Sequence, residues 1–308
     1  MSVVVLTGGV GGAKLVLGLT QILPADQITA IVNTGDDFRH LGLWVSPDLD
    51  TLLYTLSGKA NAVQGWGREG ETWTFLETLR TLGGEDWFAL GDGDLALHVL
   101  RTMRMSRGDT LAQITADFAH HWGVGITMLP MSNDAVATSL ETDAGRLAFQ
   151  SYFVERRCAP VVERITFDGA KQARSAPGVC EAILSADTRT ILIAPSNPYL
   201  SIDPLLAVPG IEAALRAATA PVVAVTPIVG GDAVKGPTAK LMRELGVAVS
   251  PASVAAHYGT LLDGFLVDER DPTAQLSLPT FACDTLMHSL ADRVRVAESA
   301  LRFADSLR

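Results

Sequence analysis

Short runs of apolar, mostly β-branched residues punctuate the chain at Val3–Leu6, Ile28–Val32, Thr190–Ile193, Val222–Val225 and Gly264–Val267. Most are continuous rather than alternating, which predicts strands of a parallel sheet covered by helices on both faces. Several end in polar or turn residues: Thr7-Gly8, Asn33-Thr34-Gly35-Asp36-Asp37, Ala194-Pro195-Ser196-Asn197-Pro198, Thr226-Pro227 and Asp268-Glu269-Arg270-Asp271. Ligands of open α/β sheets sit beyond the carboxyl ends of the strands, so these segments are expected to gather at one site. From about Thr51 to Val136 the pattern is mainly helical, clearest at Thr72–Leu82 and at Thr110–Trp122, the latter with Asp109 or Thr110 as N-cap. Leu140–Val154 has hairpin character with Asp143-Ala144-Gly145 as the turn, and Leu286–Leu307 is expected to close the fold as an amphipathic helix. The predicted fold class is therefore α/β. One domain over 1–308 holds a Rossmann-like, mostly parallel sheet flanked by helices, with an inserted region of helices and a small β element over about 51–155.

The first strand runs into Gly8-Gly9-Val10-Gly11-Gly12 and then into helical sequence at Ala13–Leu19. Strand, glycine turn and helix together present backbone N–H groups and a helix N-terminus to phosphate. A dinucleotide fingerprint does not fit, because Lys14 stands where its third small residue belongs. A Walker A loop does not fit either, because Ala13 separates Gly12 from Lys14. The turn predicts a phosphate ligand of neither standard kind; a tight turn without ligand is the simpler reading, set against the entropy cost of four glycines in five residues.

Composition narrows the partners. The formal net charge is 24 − 34 = −10, so no basic surplus exists for duplex nucleic acid or an anionic membrane. Hydrophobic content of 48% with 19% charge describes a well-cored globular chain. Cys158, Cys180 and Cys283 are odd in number and widely spaced, which predicts neither disulfides nor a zinc site and fits a reducing cytoplasm. No signal peptide or membrane span is expected.

Ser46-Pro47-Asp48-Leu49-Asp50-Thr51 sets two carboxylates one residue apart at the start of a helix. Alternate carboxylates suit a hard divalent ion such as Mg²⁺, although one of the pair is expected to cap the helix. Asp36-Asp37 is a second acidic pair, equally consistent with a solvated loop. Ser196-Asn197, bracketed by prolines, predicts a rigid turn offering a hydroxyl and an amide to a ligand. Lys14 and Lys235 are candidate phosphate contacts. Trp87, Asp92, Asp94, His98 and Arg101 cluster around a helix start, with His98 and Arg101 spaced to share a face. No Ser-His-Asp set, H-E-x-x-H or nucleophile elbow occurs, so covalent catalysis is not expected.

In sequence order, Gly8-Gly9-Val10-Gly11-Gly12-Ala13-Lys14, Asn33-Thr34-Gly35-Asp36-Asp37, Ser46-Pro47-Asp48-Leu49-Asp50-Thr51, Leu90-Gly91-Asp92-x-Asp94-Leu95, Pro195-Ser196-Asn197-Pro198 and Val234-Lys235-Gly236-Pro237 resemble the 2-phospho-L-lactate transferase family. The resemblance implies a transferase of coenzyme F-420 biosynthesis. Its members move a phospholactyl-type group (2-phospholactate, phosphoenolpyruvate or 3-phosphoglycerate) from a GDP-linked donor to the ribityl hydroxyl of the deazaflavin Fo. They release GMP, require Mg²⁺, have a Rossmann-like fold and are commonly homodimers. By position, Gly8, Gly9, Gly11, Gly12, Lys14, Ser196, Asn197 and Lys235 would hold the donor nucleotide. Asp48 and Asp50 would serve the metal and catalysis, and Asp50, Trp87, Asp94 and His98 the acceptor. Gly93 departs from the pattern, which usually has Arg between the two aspartates.

Two other classes compete. A non-enzymatic nucleotide-sugar-binding regulator of the same superfamily would keep the glycine turn without an acceptor site, and an NAD-dependent dehydrogenase is disfavoured by Lys14.

Overall fold

A computed structural model describes residues 1–61 and 64–308; Ala62 and Val63, within the stretch read as helical, lie outside the described residues. Seven parallel strands form the main sheet: β1 (Ser2–Thr7), β2 (Ile28–Val32), β3 (Thr127–Pro130), β4 (Thr188–Ile193), β5 (Val222–Val225), β6 (Gly264–Asp268) and β7 (Thr280–Cys283). Their spatial order is β7-β6-β5-β4-β1-β2-β3. β1 pairs with β2 on one side and with β4 on the other, so the direction of winding reverses between β1 and β4. That reversal opens a crevice at the carboxyl ends of these two strands.

Continuous apolar sequence buries both faces. Val3 and Val5 join one core with Leu15, Leu19 and Val296, while Val4 and Leu6 join another with Ile191, Ile202 and Val222. α1 (Gly9–Leu19), α2 (Pro47–Leu56), α4 (Leu111–His121) and α5 (Leu290–Ser306) cover the first face, with α3 (Asp92–Ser106) beside α4. A three-stranded antiparallel sheet of Ala137–Thr142, Gly145–Ala148 and Val162–Asp168 stands apart.

The five expected strands are present, the first, third and fifth extended by one or two residues. Thr110 is the N-cap of α4 in a capping box with Gln113. Several readings need correction. The stretch 51–155 also supplies β3, which pairs with β2 at the edge of the main sheet. The hairpin ends at Ala148, and Ser151–Glu155 forms a π-helical turn instead. The last helix starts only at Leu290, capped by Ser289, which leaves residues 286–288 as an ordered loop. Ser46, not an aspartate, is the N-cap of α2; Asp48 and Asp50 both lie inside its first turn.

Candidate active site

The crevice deepens into a cavity of ≈ 790 Å³, within the usual range for small-molecule sites. Gly8, Gly9, Gly11 and Lys14 line it from the β1–α1 turn, Ser196 and Asn197 from the end of β4, and Asp48 and Asp50 from α2. Trp87, Asp94, His98 and Lys235 complete the expected set. Gly12 alone is displaced from the wall: a Cβ there would lie 1.9 Å from Thr7 Oγ1, so this glycine is required for helix-to-strand packing. Gly11 is confined similarly, its hypothetical Cβ 2.6 Å from the Pro195 carbonyl oxygen.

At the winding reversal the two halves of the sheet are sewn together. Ser196 Oγ donates to the Gly8 carbonyl (2.7 Å) and accepts from Gly8 N–H (3.2 Å). Its hydroxyl therefore pins the glycine turn, where sequence reading offered it to a ligand. Asn197 Oδ1 accepts from Tyr199 and Leu200 N–H and caps the following turn, while its buried Nδ2 has no partner. Lys14 Nζ donates to the Met287 carbonyl (2.7 Å) and Lys235 Nζ to that of Gly65 (2.7 Å). Burial, with Arg293 and Lys235 nearby, lowers the Lys14 ammonium below its ordinary range.

Asp48 occupies the amino end of α1. Its Oδ1 accepts from Gly9 N–H (2.8 Å) and its Oδ2 from Asn33 Nδ2 (2.9 Å). Asn33 Oδ1 in turn accepts from Gly35 N–H (2.8 Å), which fixes the amide. Burial raises the Asp48 carboxyl to about 6 against these two hydrogen bonds. Asp36 and Asp37 are buried rather than solvated, because the loop folds under α2 and the π-helical turn. Burial and the neighbouring Asp48 hold Asp36 well above its ordinary value; its Oδ1 has no partner and its side chain lines the cavity.

Asp50 faces a different neighbour. Arg101 grips it with both terminal guanidinium nitrogens, Nη2 on Oδ1 and Nη1 on Oδ2 (3.1 Å). Arg101 Nη1 also donates to His98 Nδ1 (3.2 Å), which leaves the ring proton on Nε2, 3.3 Å from Asp94 Oδ2. Tyr54 donates its hydroxyl to the other oxygen of Asp94. Burial pushes the Asp94 carboxyl up, but His98, Tyr54 and Arg101 outweigh it and hold it below its ordinary value. Trp87 and Phe88 form an aromatic wall of the cavity, backed by Phe38 (4.9 Å from Phe88) and His40 (5.1 Å from Trp87). Gly93 does not line the cavity, and a Cβ there would be 2.2 Å from Arg68 Nη1. Arg68 therefore fills the space that a side chain at position 93 would enter.

Sequence reading did not find two further walls, Phe149 to Arg157 and Thr285 to His288, both brought in by tertiary packing. The second is anchored by fully buried Asp268, which accepts from Thr285 N–H (2.8 Å) and Thr285 Oγ1 (2.9 Å).

A family model described as 2-phospho-L-lactate transferase CofD matches residues 3–300. The chain belongs to the CofD family. Among curated relatives, a phosphoenolpyruvate transferase of Streptomyces coelicolor is 44% identical, with 100% of this chain and 99% of that protein aligned. One from Thermobifida fusca is 45% identical over 88% of this chain and 87% of its own. One from Mycobacterium sp. strain JLS is 37% identical over 99% of each. Among solved structures, a UPF0052-family protein of Bacillus halodurans superposes with a TM-score of 0.62 at 20% identity, covering 97% of this chain and 98% of that one. That likeness shows the shared fold alone. Membership of the CofD family makes the chain a transferase. No helix of the described residues is long and apolar enough to cross a membrane.

Proposed function

We propose that this CofD-family transferase moves a phosphoenolpyruvate-type group from a GDP-linked donor to the ribityl hydroxyl of the deazaflavin Fo, releasing GMP, in coenzyme F-420 biosynthesis. The observation that carries the reading is the placement of a glycine-rich helix start, buried carboxylates and an aromatic wall around one cavity at the winding reversal. The names of the relatives favour phosphoenolpyruvate over 2-phospholactate or 3-phosphoglycerate as the transferred group. A nucleotide-sugar-binding regulator would have no use for the Tyr54–Asp94–His98 chain beside that wall.

Transfer of this kind needs positioning and charge neutralisation rather than a nucleophilic side chain. The N–H groups of the β1–α1 turn and Lys14 face the donor diphosphate, and Lys235, Ser196 and Asn197 shape the same end. Trp87, Asp94 and His98 line the acceptor side. Asp50, with both oxygens held by Arg101, orients the ribityl hydroxyl through its remaining lone pairs. That clamp favours orientation over deprotonation.

Mg²⁺ belongs to the same reading. Among the described residues no three His, Cys, Asp or Glu side chains converge as a complete metal cage. Mg²⁺ does not require one, since it keeps waters and takes substrate phosphates as ligands. Asp48 would hold it, aided by the unpartnered oxygen of Asp36; Asp50, expected as the second ligand, is committed to Arg101. When bound, the ion would neutralise the diphosphate and the departing GMP. A cytoplasmic homodimer completes the proposal, and light scattering tests the dimer.

Incubating the protein with Fo, each GDP-linked donor and Mg²⁺, followed by mass spectrometry, tests the reaction. Asp50→Asn is expected to keep the fold and, by loosening the carboxylate that Arg101 holds against the hydroxyl, to lower turnover by about 100-fold or more. Unchanged Fo consumption by that variant removes Asp50 from the chemistry.

A further inference from the structure

Three long cations line the cavity, and two of them are engaged by the protein. Lys14 is held by the Met287 carbonyl and Lys235 by that of Gly65. Arg157 is different: among the described residues its guanidinium has no hydrogen bond or ion pair, yet it lines the cavity. Arg101, nearby in the fold, is consumed by Asp50.

The backbone that presents Arg157 is unusual. Arg157 (φ +50°) and Cys158 (φ +56°) are consecutive non-glycine residues in the left-handed region, where Leu41 is the only other among the described residues. Each such residue costs about 1–3 kcal/mol and persists only when its surroundings over-determine it. Here Arg156 N–H is held by the Ser151 carbonyl (2.8 Å) and Cys158 N–H by the carbonyl of Tyr152 (2.9 Å), whose side chain is fully buried. Lys240 Nζ fastens the chain just beyond through the Pro160 carbonyl (2.7 Å). A simple exit from a helical turn would use glycine at this conformation. The chain instead keeps two side chains in strained geometry, and one of them, the solvent-exposed cation Arg157, lines the cavity.

The cavity otherwise carries four carboxylates, Asp36, Asp48, Asp50 and Asp94. A phosphoenolpyruvyl group adds a carboxylate of its own that takes no part in phosphoryl transfer and has to be neutralised. A planar guanidinium fork matches a carboxylate with two parallel hydrogen bonds, which an ammonium cannot do. Resting on the function proposed above, we propose that Arg157 binds the carboxylate of the transferred group and selects donors that carry one.

The test compares wild type with Arg157→Gln and Arg157→Lys, all checked for unchanged circular dichroism and melting temperature. Expected is a rise of about 10- to 100-fold in the donor KM for Arg157→Gln, the range for losing a charged hydrogen-bonding partner. Arg157→Lys is expected to recover part of that loss. Affinity for GDP, which has no carboxylate, should change less than about twofold. An unchanged donor KM, or an equal loss of GDP affinity, overturns the assignment. Should wild type fail to convert Fo, the functional reading fails by itself. Calorimetry with phosphoenolpyruvate as probe then decides Arg157 separately. Binding by wild type that is lost in Arg157→Gln upholds an anion site, and equal binding or none in wild type refutes it.

Discussion

Asp37 offers the most direct check on the electrostatics of this site. Its Oδ2 accepts from Ser46 Oγ (2.7 Å) and Trp44 Nε1 (3.1 Å), while Oδ1 is buried without a partner. Burial lifts its carboxyl from 3.8 to about 8, against the hydrogen bonds of Ser46 and Trp44 and the charge of Arg101. At neutral pH the folded protein therefore holds a protonated acid that ionises freely once unfolded. The sign follows: the contribution to stability is complete below pH 3.8 and is lost as pH rises through about 8. Each pH unit crossed costs about 1.4 kcal/mol, which gives a ceiling of about 4 kcal/mol at pH 7. Relaxation and water entry reduce this to an expected 1–3 kcal/mol, roughly. Asp37→Asn keeps the acceptor for Ser46 and Trp44 and removes the ionisable proton. The variant should match wild type near pH 4 and exceed it progressively up to pH 8, measured by urea unfolding at fixed pH steps. A stability difference that does not change across that interval would refute a buried neutral Asp37.

Three further outcomes follow from the geometry. Gly11→Ala drives a methyl group against the rigid Pro195 carbonyl, and should lower stability by about 1–3 kcal/mol with weaker GDP binding by calorimetry. Unchanged values for both would place the turn farther from β4. Asn33→Leu removes the donor that holds Asp48 Oδ2, so Mg²⁺-dependent turnover should fall about tenfold or more while Fo affinity stays near wild type. Loss of Fo binding instead would make Asn33 a part of the acceptor wall. His257, raised by its hydrogen bond to Asp203 (2.7 Å), gives stability that is present below pH 6.5 and lost above it as the ring deprotonates. Asp203→Asn should remove that slope, worth less than about 1 kcal/mol at this partly exposed pair, in melting scans from pH 5 to 9.

Much of the scaffold was legible because a strand buried on both faces must be apolar throughout, as Val3–Leu6 and Val222–Val225 are. The edge strands escaped notice for the converse reason. Thr280–Cys283 is half exposed and Thr127–Pro130 ends in proline, so neither makes a long apolar run. Asp36 and Asp37 fit a solvated loop as well as a site because sequence reports polarity, whereas their burial depends on α2 and residues 149–155 arriving from elsewhere. Asp48 and Asp50 were found together by spacing. What separates them, an amide from Asn33 against a guanidinium from Arg101, is a tertiary fact. Arg157 carried no local signal, since a pair of arginines, Arg156-Arg157, after a helical turn is ordinary until the cavity beside it is seen.

β1 lies inside the sheet, yet its two neighbours come from very different times in synthesis. β2 follows within one helical crossover, but Thr188, the first β4 residue paired with β1, lies 186 residues beyond Ser2. At ordinary elongation rates of about 5–20 residues per second, that gap is roughly 10–40 seconds. Throughout that wait, β1 presents an apolar, unpaired edge of the kind that recruits other chains. A ribosome-bound fragment ending before β4 is thus a natural client for a chaperone, and slow translation through residues 100–180 should cost this protein more yield than slowing after residue 200.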